Sequence, residues 1–130
     1  MNVAFNNRDP IYLQVVRYFK AEIAAGRLEA GEEIPSRREL AALLKINPNT
    51  AQRSYKEMEE QGLIVTAGNS PSRITRDEGI LKSIRQELIN EAVDSFLASI
   101  QGIDIPTDEL LDTIRDRYGA ERAKSQEDQK

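Results

Sequence analysis

Three observations predict a mainly α-helical chain with one small β-hairpin. Two helix-start signals, Ser36-Arg37-Arg38-Glu39 and Asn47-Pro48, lie close together, so the helices they open are short. The β-type runs Leu63-Ile64-Val65-Thr66 and Arg73-Ile74-Thr75 flank Ala67 to Ser72, a stretch holding Gly, Asn, Ser and Pro. From Asp77 to Ile100 apolar residues recur at helical spacing over roughly 24 positions, a long amphipathic helix.

The elements follow in order. Asp9-Pro10 places an N-cap before a proline whose missing N–H costs nothing at a first helical position. Ile11, Val15, Phe19 and Ile23 then form a stripe, widened by Tyr12 and Val16, and Gly26 offers a stop. Arg27 to Pro35 reads as a turn with a short extended piece. In the capping box, the Ser36 hydroxyl and the Glu39 carboxylate each satisfy a free amide at the start of the second helix, and Leu40, Leu43 and Leu44 line its apolar side. Lys45-Ile46-Asn47 breaks the chain. The third helix runs from Pro48 through Ala51, Tyr55 and Met58 to Gln61, and Gly62 ends it. Two short helices across a tight break are a helix-turn-helix; with a preceding helix and a following hairpin they make a winged helix. After the long helix, Gly102 to Pro106 breaks the chain, and Thr107 caps a last helix carrying Leu110, Leu111, Ile114 and Tyr118 that stops at Gly119. The expected organisation is a winged helix-turn-helix domain over residues 1–76 and a short helical dimerisation region over 77–130, with a frayed polar tail from about residue 120.

Composition limits the chemistry. The 130 residues suffice for one ordinary domain or a small one with an appended element. With neither Cys nor His, disulfides, zinc–thiolate sites, thiol nucleophiles and the commonest general base are excluded. No acidic spacing stands out as a dyad or metal cluster and no Gly-rich phosphate loop is present, so the chain reads as no enzyme, with no cofactor and no metal. The mean hydropathy is -0.56 and no apolar run reaches membrane-span length. Met1 to Asp9 lacks an apolar signal core, so a cytoplasmic home with no membrane partner is expected.

Charge is uneven. The net charge is -4, yet residues 1–76 hold 11 Lys and Arg against 9 Asp and Glu, and residues 77–130 hold 7 against 13. Residues 36–76 are the most basic stretch, 7 against 4. The pattern fits both an ordinary solvated surface and a surface meant for a polyanion.

Gly26-x-Leu28-x-x-Gly31-x-x-Ile34-Pro35-Ser36-x-Arg38-x-Leu40-Ala41, followed by Asn47-Pro48-Asn49-Thr50 and Glu60-x-Gly62-Leu63-Ile64, resembles the DNA-binding domain of GntR-family transcription regulators. The short helical remainder is similar to that of the YtrA-like subfamily, in which this region is a small dimerisation element. The resemblance implies a homodimeric regulator, more often a repressor, on an approximately palindromic double-stranded DNA operator. One departure concerns the wing, where the family's Gly-x-Gly-Thr-aromatic-Val is replaced by Gly68-Asn69-Ser70-Pro71-Ser72-Arg73-Ile74. Minor-groove contact by the tip is thereby put in doubt, and Arg73 or Arg76 is left to reach a phosphate.

A recognition helix presents its N-terminal turns to base edges in the major groove. Asn47, Asn49, Thr50, Gln52 and Arg53 occupy those turns of the third helix. Asn47 reads equally as an N-cap, and one of Gln52 and Arg53 has solvent as an alternative. Arg38 matches the family arginine of the second helix, the alternative being a salt bridge to Glu57 or Glu59. Arg37 and Lys45 are phosphate candidates, and Tyr12 resembles a family tyrosine with core packing as its plainer role. Leu81, Ile84, Leu88, Ala92, Phe96 and Ile100 form the stripe expected to dimerise, with Ile80, Ile89, Val93 and Leu97 beside it. A dimer cleft leaves room for a small-molecule effector, to which no residues are assigned. The competing reading is a winged-helix protein-interaction module without DNA binding, consistent with the overall acidity and the altered wing.

Overall fold

A computed structural model describes residues 1–128. It contains α1 (Ile11–Ala24), α2 (Arg37–Leu44), α3 (Pro48–Glu60), β1 (Ile64–Val65), β2 (Arg73–Ile74), α4 (Glu78–Ser99) and α5 (Thr107–Asp128). Contacts divide the chain into two compact units, Met1–Asp94 and a second from Ser95 onward.

In the first unit α3 packs on both α1 and α2. Val15, Val16, Phe19 and Ile23 of α1 meet Leu40 and Ala41 of α2 and Ala51, Tyr55 and Met58 of α3 in one core, closed below by Leu63, Ile64, Ile74 and Ile84. Phe19 and Tyr55 meet edge to face, with ring centroids 6.4 Å apart, a favoured aromatic arrangement. The Tyr55 hydroxyl donates to the Pro35 carbonyl, tying α3 to the residue that precedes the α2 cap.

The hairpin is antiparallel with Ile64 opposite Ile74 and Val65 opposite Arg73. The stretch before α2 joins it as a third extended piece: Gly31 N–H donates to Ile74 O at 2.9 Å, Ile74 N–H to Glu32 O at 2.9 Å and Ile34 N–H to Ser72 O at 3.0 Å. This extended piece thus borrows its hydrogen bonds from the hairpin.

Several local expectations change. Helix α1 begins one residue late: Pro10 is the N-cap, without a side-chain cap, because its ψ of 137° is still extended. The Asn6 side-chain oxygen instead accepts the Arg8 and Asp9 amides at 2.9 and 3.0 Å, and Gln14 Nε2 donates back to Asn6 O and Asp9 O. Leu43 is exposed, because at about 100° per residue it lies roughly 110° round the helix from the midpoint between the buried Leu40 and Ala41, whereas Leu44 falls close to that midpoint and is half-buried. Thr107 lies inside α5 instead of capping it, and α5 continues through Gly119 to Asp128. A glycine costs a helix about 1 kcal/mol relative to alanine, and the strong helix formers Ala120 to Lys124 that follow overcome it. The expected fraying from Ala120 is therefore not found as far as Asp128; Gln129 and Lys130 lie outside the described residues. The unit division also falls within α4 instead of at Arg76, because Ile80, Leu81, Ile84 and Leu88 pack onto the first core. Among the described residues no helix is long and apolar enough to cross a membrane.

Gly62 has a φ of +75°, and a Cβ there would lie 2.9 Å from Ile80 Cδ1. Gly62→Val is expected to destabilise the protein by about 1–2 kcal/mol, the cost of a left-handed conformation for a residue with a Cβ. An unaltered melting temperature would refute that assignment. Burial raises the Tyr55 hydroxyl pKa well above its usual value of 10.0, an effect that Arg37 opposes and Glu39 reinforces. The fold therefore favours the neutral phenol, so this stability is complete below about pH 10 and declines as the pH rises above it. Tyr55→Phe should lose about 1 kcal/mol at neutral pH through the vacated Pro35 carbonyl. It should also flatten the alkaline decline, and urea titrations at neutral and alkaline pH with equal losses in both proteins would contradict this.

Candidate nucleic-acid interface

The surface most suited to a polyanion is built by the break between α2 and α3. The capping box is present in full, with Ser36 Oγ accepting the Glu39 amide at 3.1 Å and Glu39 Oε1 accepting the Ser36 amide at 3.3 Å. Lys45 ends α2 in a left-handed conformation, φ 55°, which reverses the chain within three residues. Asn47 caps α3, its side-chain oxygen accepting the Asn49 amide at 2.7 Å, with Pro48 in the first turn. The capping role of Asn47 is thus present, and its side chain remains exposed.

Helix α3 is sharply two-sided. Ala51, Ser54, Tyr55 and Met58 are buried. Asn49, Gln52, Arg53 and Lys56, related by three- and four-residue steps, form an exposed polar stripe on the opposite side. Lys56 belongs to this stripe although its position in the second half of the helix kept it from being singled out; its i+3/i+4 relation to Arg53 and Gln52 was the signal. Thr50 is half-buried, and its carbonyl accepts the Ser54 hydroxyl at 2.9 Å, so it is set slightly apart. Acidic Glu57, Glu59 and Glu60 gather at the far end of α3, which leaves the N-terminal turns as the cationic part.

The two arginines of α2 are divided by one helical step. Arg38 is exposed and, among the described residues, has neither a hydrogen-bond nor an ion-pair partner. Arg37 is half-buried, its Nη2 donates to Glu59 Oε1 at 2.7 Å, and its guanidinium lies 5.5 Å from the Tyr55 ring centroid. The salt bridge weighed for Arg38 therefore belongs to Arg37, which is occupied within the chain. Its Nε is buried without a partner among the described residues. Glu59 also accepts from Thr66 Oγ1 at 3.2 Å, and Thr66 shares a 2.5 Å hydrogen bond with Ser72. A polar clasp thus links α2, α3 and both sides of the wing. It joins residues far apart in sequence, so no motif announced it.

At the base of the wing Arg73 Nη1 donates to Gly31 O at 3.2 Å. The Arg76 guanidinium covers Gly31 where any Cβ would collide. The tip is a turn closed by Ser70 N–H to Ala67 O at 2.9 Å and is exposed through Pro71. The cations of the wing therefore stand at its base.

The stripe expected to dimerise is split. Ile84 is 2% exposed in the first core, and Leu81 and Leu88 are packed against it, so these three are engaged within the chain. Lys20 to Glu87 at 3.0 Å and an ion pair between Arg17 and Glu91 hold this part of α4 to α1. Ala92 and Phe96 are exposed and Ile100 is half-buried, while Ile89, Val93 and Leu97, placed at the flank of the stripe, are 55%, 45% and 50% exposed.

Comparison with known proteins gives a consistent result. Residues 11–74 match the model of "Bacterial regulatory proteins, gntR family". The chain is 30% identical over 115 residues to the uncharacterised HTH-type transcriptional regulator YhcF of Bacillus subtilis, covering 88% of this chain and 95% of that one. It is 32% identical over 98 residues to the HTH-type transcriptional repressor YtrA of the same organism, covering 71% and 75%. Among solved structures, a GntR family transcriptional regulator from Listeria monocytogenes superposes with a TM-score of 0.75 at 30% identity, over 86% of this chain and 98% of that one.

Proposed function

The chain belongs to the GntR family of bacterial regulatory proteins, and from that premise we propose that it represses transcription by occupying an approximately palindromic operator as a homodimer. The observation that carries this reading is the exposed stripe Asn49, Gln52, Arg53 and Lys56 on α3, together with the exposed Arg38 of α2, which has no partner among the described residues. Amide groups can pair with adenine and a planar guanidinium with guanine, and a helix displaying both in its early turns suits the major groove. Arg38 is assigned to a phosphate or guanine edge. Asn47, Asn49, Thr50, Gln52 and Arg53 are assigned to the groove, with Lys56 and Lys45 following the backbone. Arg73 and Arg76 reach phosphate from the base of the wing, and Arg37 stays committed to Glu59 within the chain. The similarity to a protein named a repressor favours repression, by exclusion of polymerase from a promoter, and the relatives are regulators, not enzymes. Such a protein works in the cytoplasm, with the DNA.

The dimer reading is supported by the second unit, whose α5 buries no residue of its own. Leu97, Leu111, Ile114 and Tyr118 are 50%, 48%, 41% and 64% exposed, more apolar surface than a free monomer usually presents to water. Phe96, Ala92 and Ile100 of the original stripe are assigned to the same interface. Two-fold symmetry then sets two recognition helices one DNA turn apart.

Selection from random duplex DNA with the purified protein should enrich a two-fold symmetric site; recovery of no site would count against the reading. Arg38→Ala should weaken binding to that site by roughly 1–3 kcal/mol with the melting temperature unchanged. Full retention of affinity would remove Arg38 from the interface. Leu97→Glu combined with Ile114→Glu should reduce the molar mass in light scattering from twice 14.7 kDa to the monomer value, and a mass that stays doubled would place the interface elsewhere.

A further inference from the structure

Arg53 differs from Lys56, the other cation of the exposed stripe, in having an aromatic support. Its guanidinium carbon lies 3.9 Å from the centroid of the Tyr12 ring, close enough for the two planar groups to be in van der Waals contact. The two helices are also packed closely at Ser54, fully buried, whose Oγ lies 3.4 Å from the Tyr12 carbonyl. Tyr12 is itself in the first turn of α1, which the Asn6–Gln14 side-chain brace holds against the N-terminal segment. Neither a hydrogen bond nor an ion pair engages Arg53 among the described residues, so its N–H groups are all available along the edges of the plane.

We propose that Tyr12 is a positioning residue for DNA recognition: its ring holds the Arg53 guanidinium at a set orientation, so that Arg53 reads the O6/N7 edge of one guanine in the major groove. This rests on the DNA-binding reading above and names the residue pair that sets one base preference. An arginine on the outside of a helix samples many rotamers and loses that freedom on binding, whereas a stacked guanidinium has already lost part of it. A phosphate is accepted from many directions, but a guanine edge demands two N–H groups in its own plane, so prior orientation favours the base contact selectively. Lys56, one turn further along and without such support, is left as a point charge for the backbone.

The test is the same duplex selection, followed by titration of the selected site and of its single-base variants, on four proteins: wild type, Tyr12→Phe, Tyr12→Leu and Arg53→Gln. Arg53→Gln should lose preference at one guanine position by about tenfold. Tyr12→Leu should lose about three- to fivefold at that same position and little elsewhere, while Tyr12→Phe, which keeps the ring, retains the preference. Arg53 is exposed, so its variant folds and keeps the question open to decision even where Tyr12→Leu does not. Equal weakening on all sequences by Arg53→Gln, with the salt slope reduced by about 1, would place Arg53 on a phosphate and overturn the proposal. Unchanged preferences in Tyr12→Leu would overturn it while leaving the regulator reading intact. Failure of the wild type to select any site would defeat that reading instead.

Discussion

The orientation of α3 depends on how Tyr55 is held. The ring is buried against Phe19 of α1, its hydroxyl is committed to Pro35 just ahead of the α2 cap, and Arg37 of α2 lies over its face. Each contact comes from a different part of the first unit, so moving α3 disturbs all of them together. Close packing makes such a joint stiff, since no side chain can shift without opening a void. The exposed stripe of α3 is consequently aimed by its buried side: the residues proposed to meet DNA stand where Ala51, Ser54, Tyr55 and Met58 place them.

Electrostatics then divides labour between neighbours. Arg37 and Arg38 are adjacent in sequence, but a helical step of about 100° sends one toward Glu59 and Tyr55 and the other to solvent. An ion pair with both partners about a third exposed contributes little stability by itself. Its consequence here is geometric, because Glu59 passes the connection to Thr66 and Ser72 and so links the wing to the two helices. The same economy appears in Arg53, paired with an aromatic face and not with a carboxylate, which leaves its hydrogen-bonding edges unused. A chain of net charge -4 can in this way present a local cationic surface, with its excess acid placed beyond Asp77.

Helix α4 serves two surroundings along its length. Ile80, Leu81, Ile84 and Leu88 complete the winged-helix core, and the ion pairs from α1 to Glu87 and Glu91 run beside them. Farther along, the apolar residues lose those partners and become exposed. A single stripe of constant spacing does not reveal where this change occurs, which is why Ile84 and Phe96 looked equivalent until the helix was seen against its neighbours.

Local signals alone were enough to determine the element order, the capping box, the Asn47-Pro48 restart, the glycine at the end of α3 and the polar composition of its early turns. Each depends on groups within a few residues of one another, where spacing translates directly into hydrogen bonding and helical face. Boundaries that rest on a balance of small terms were misplaced, as at Pro10 and Gly119. Only the tertiary structure decided which of two adjacent arginines is exposed, that Tyr12 supports Arg53, that Gly31 is roofed by Arg76, and how much of the α4 stripe the chain keeps for itself. These contacts bring together side chains tens of residues apart, and their geometry is set by the packing of whole elements, which no local pattern encodes.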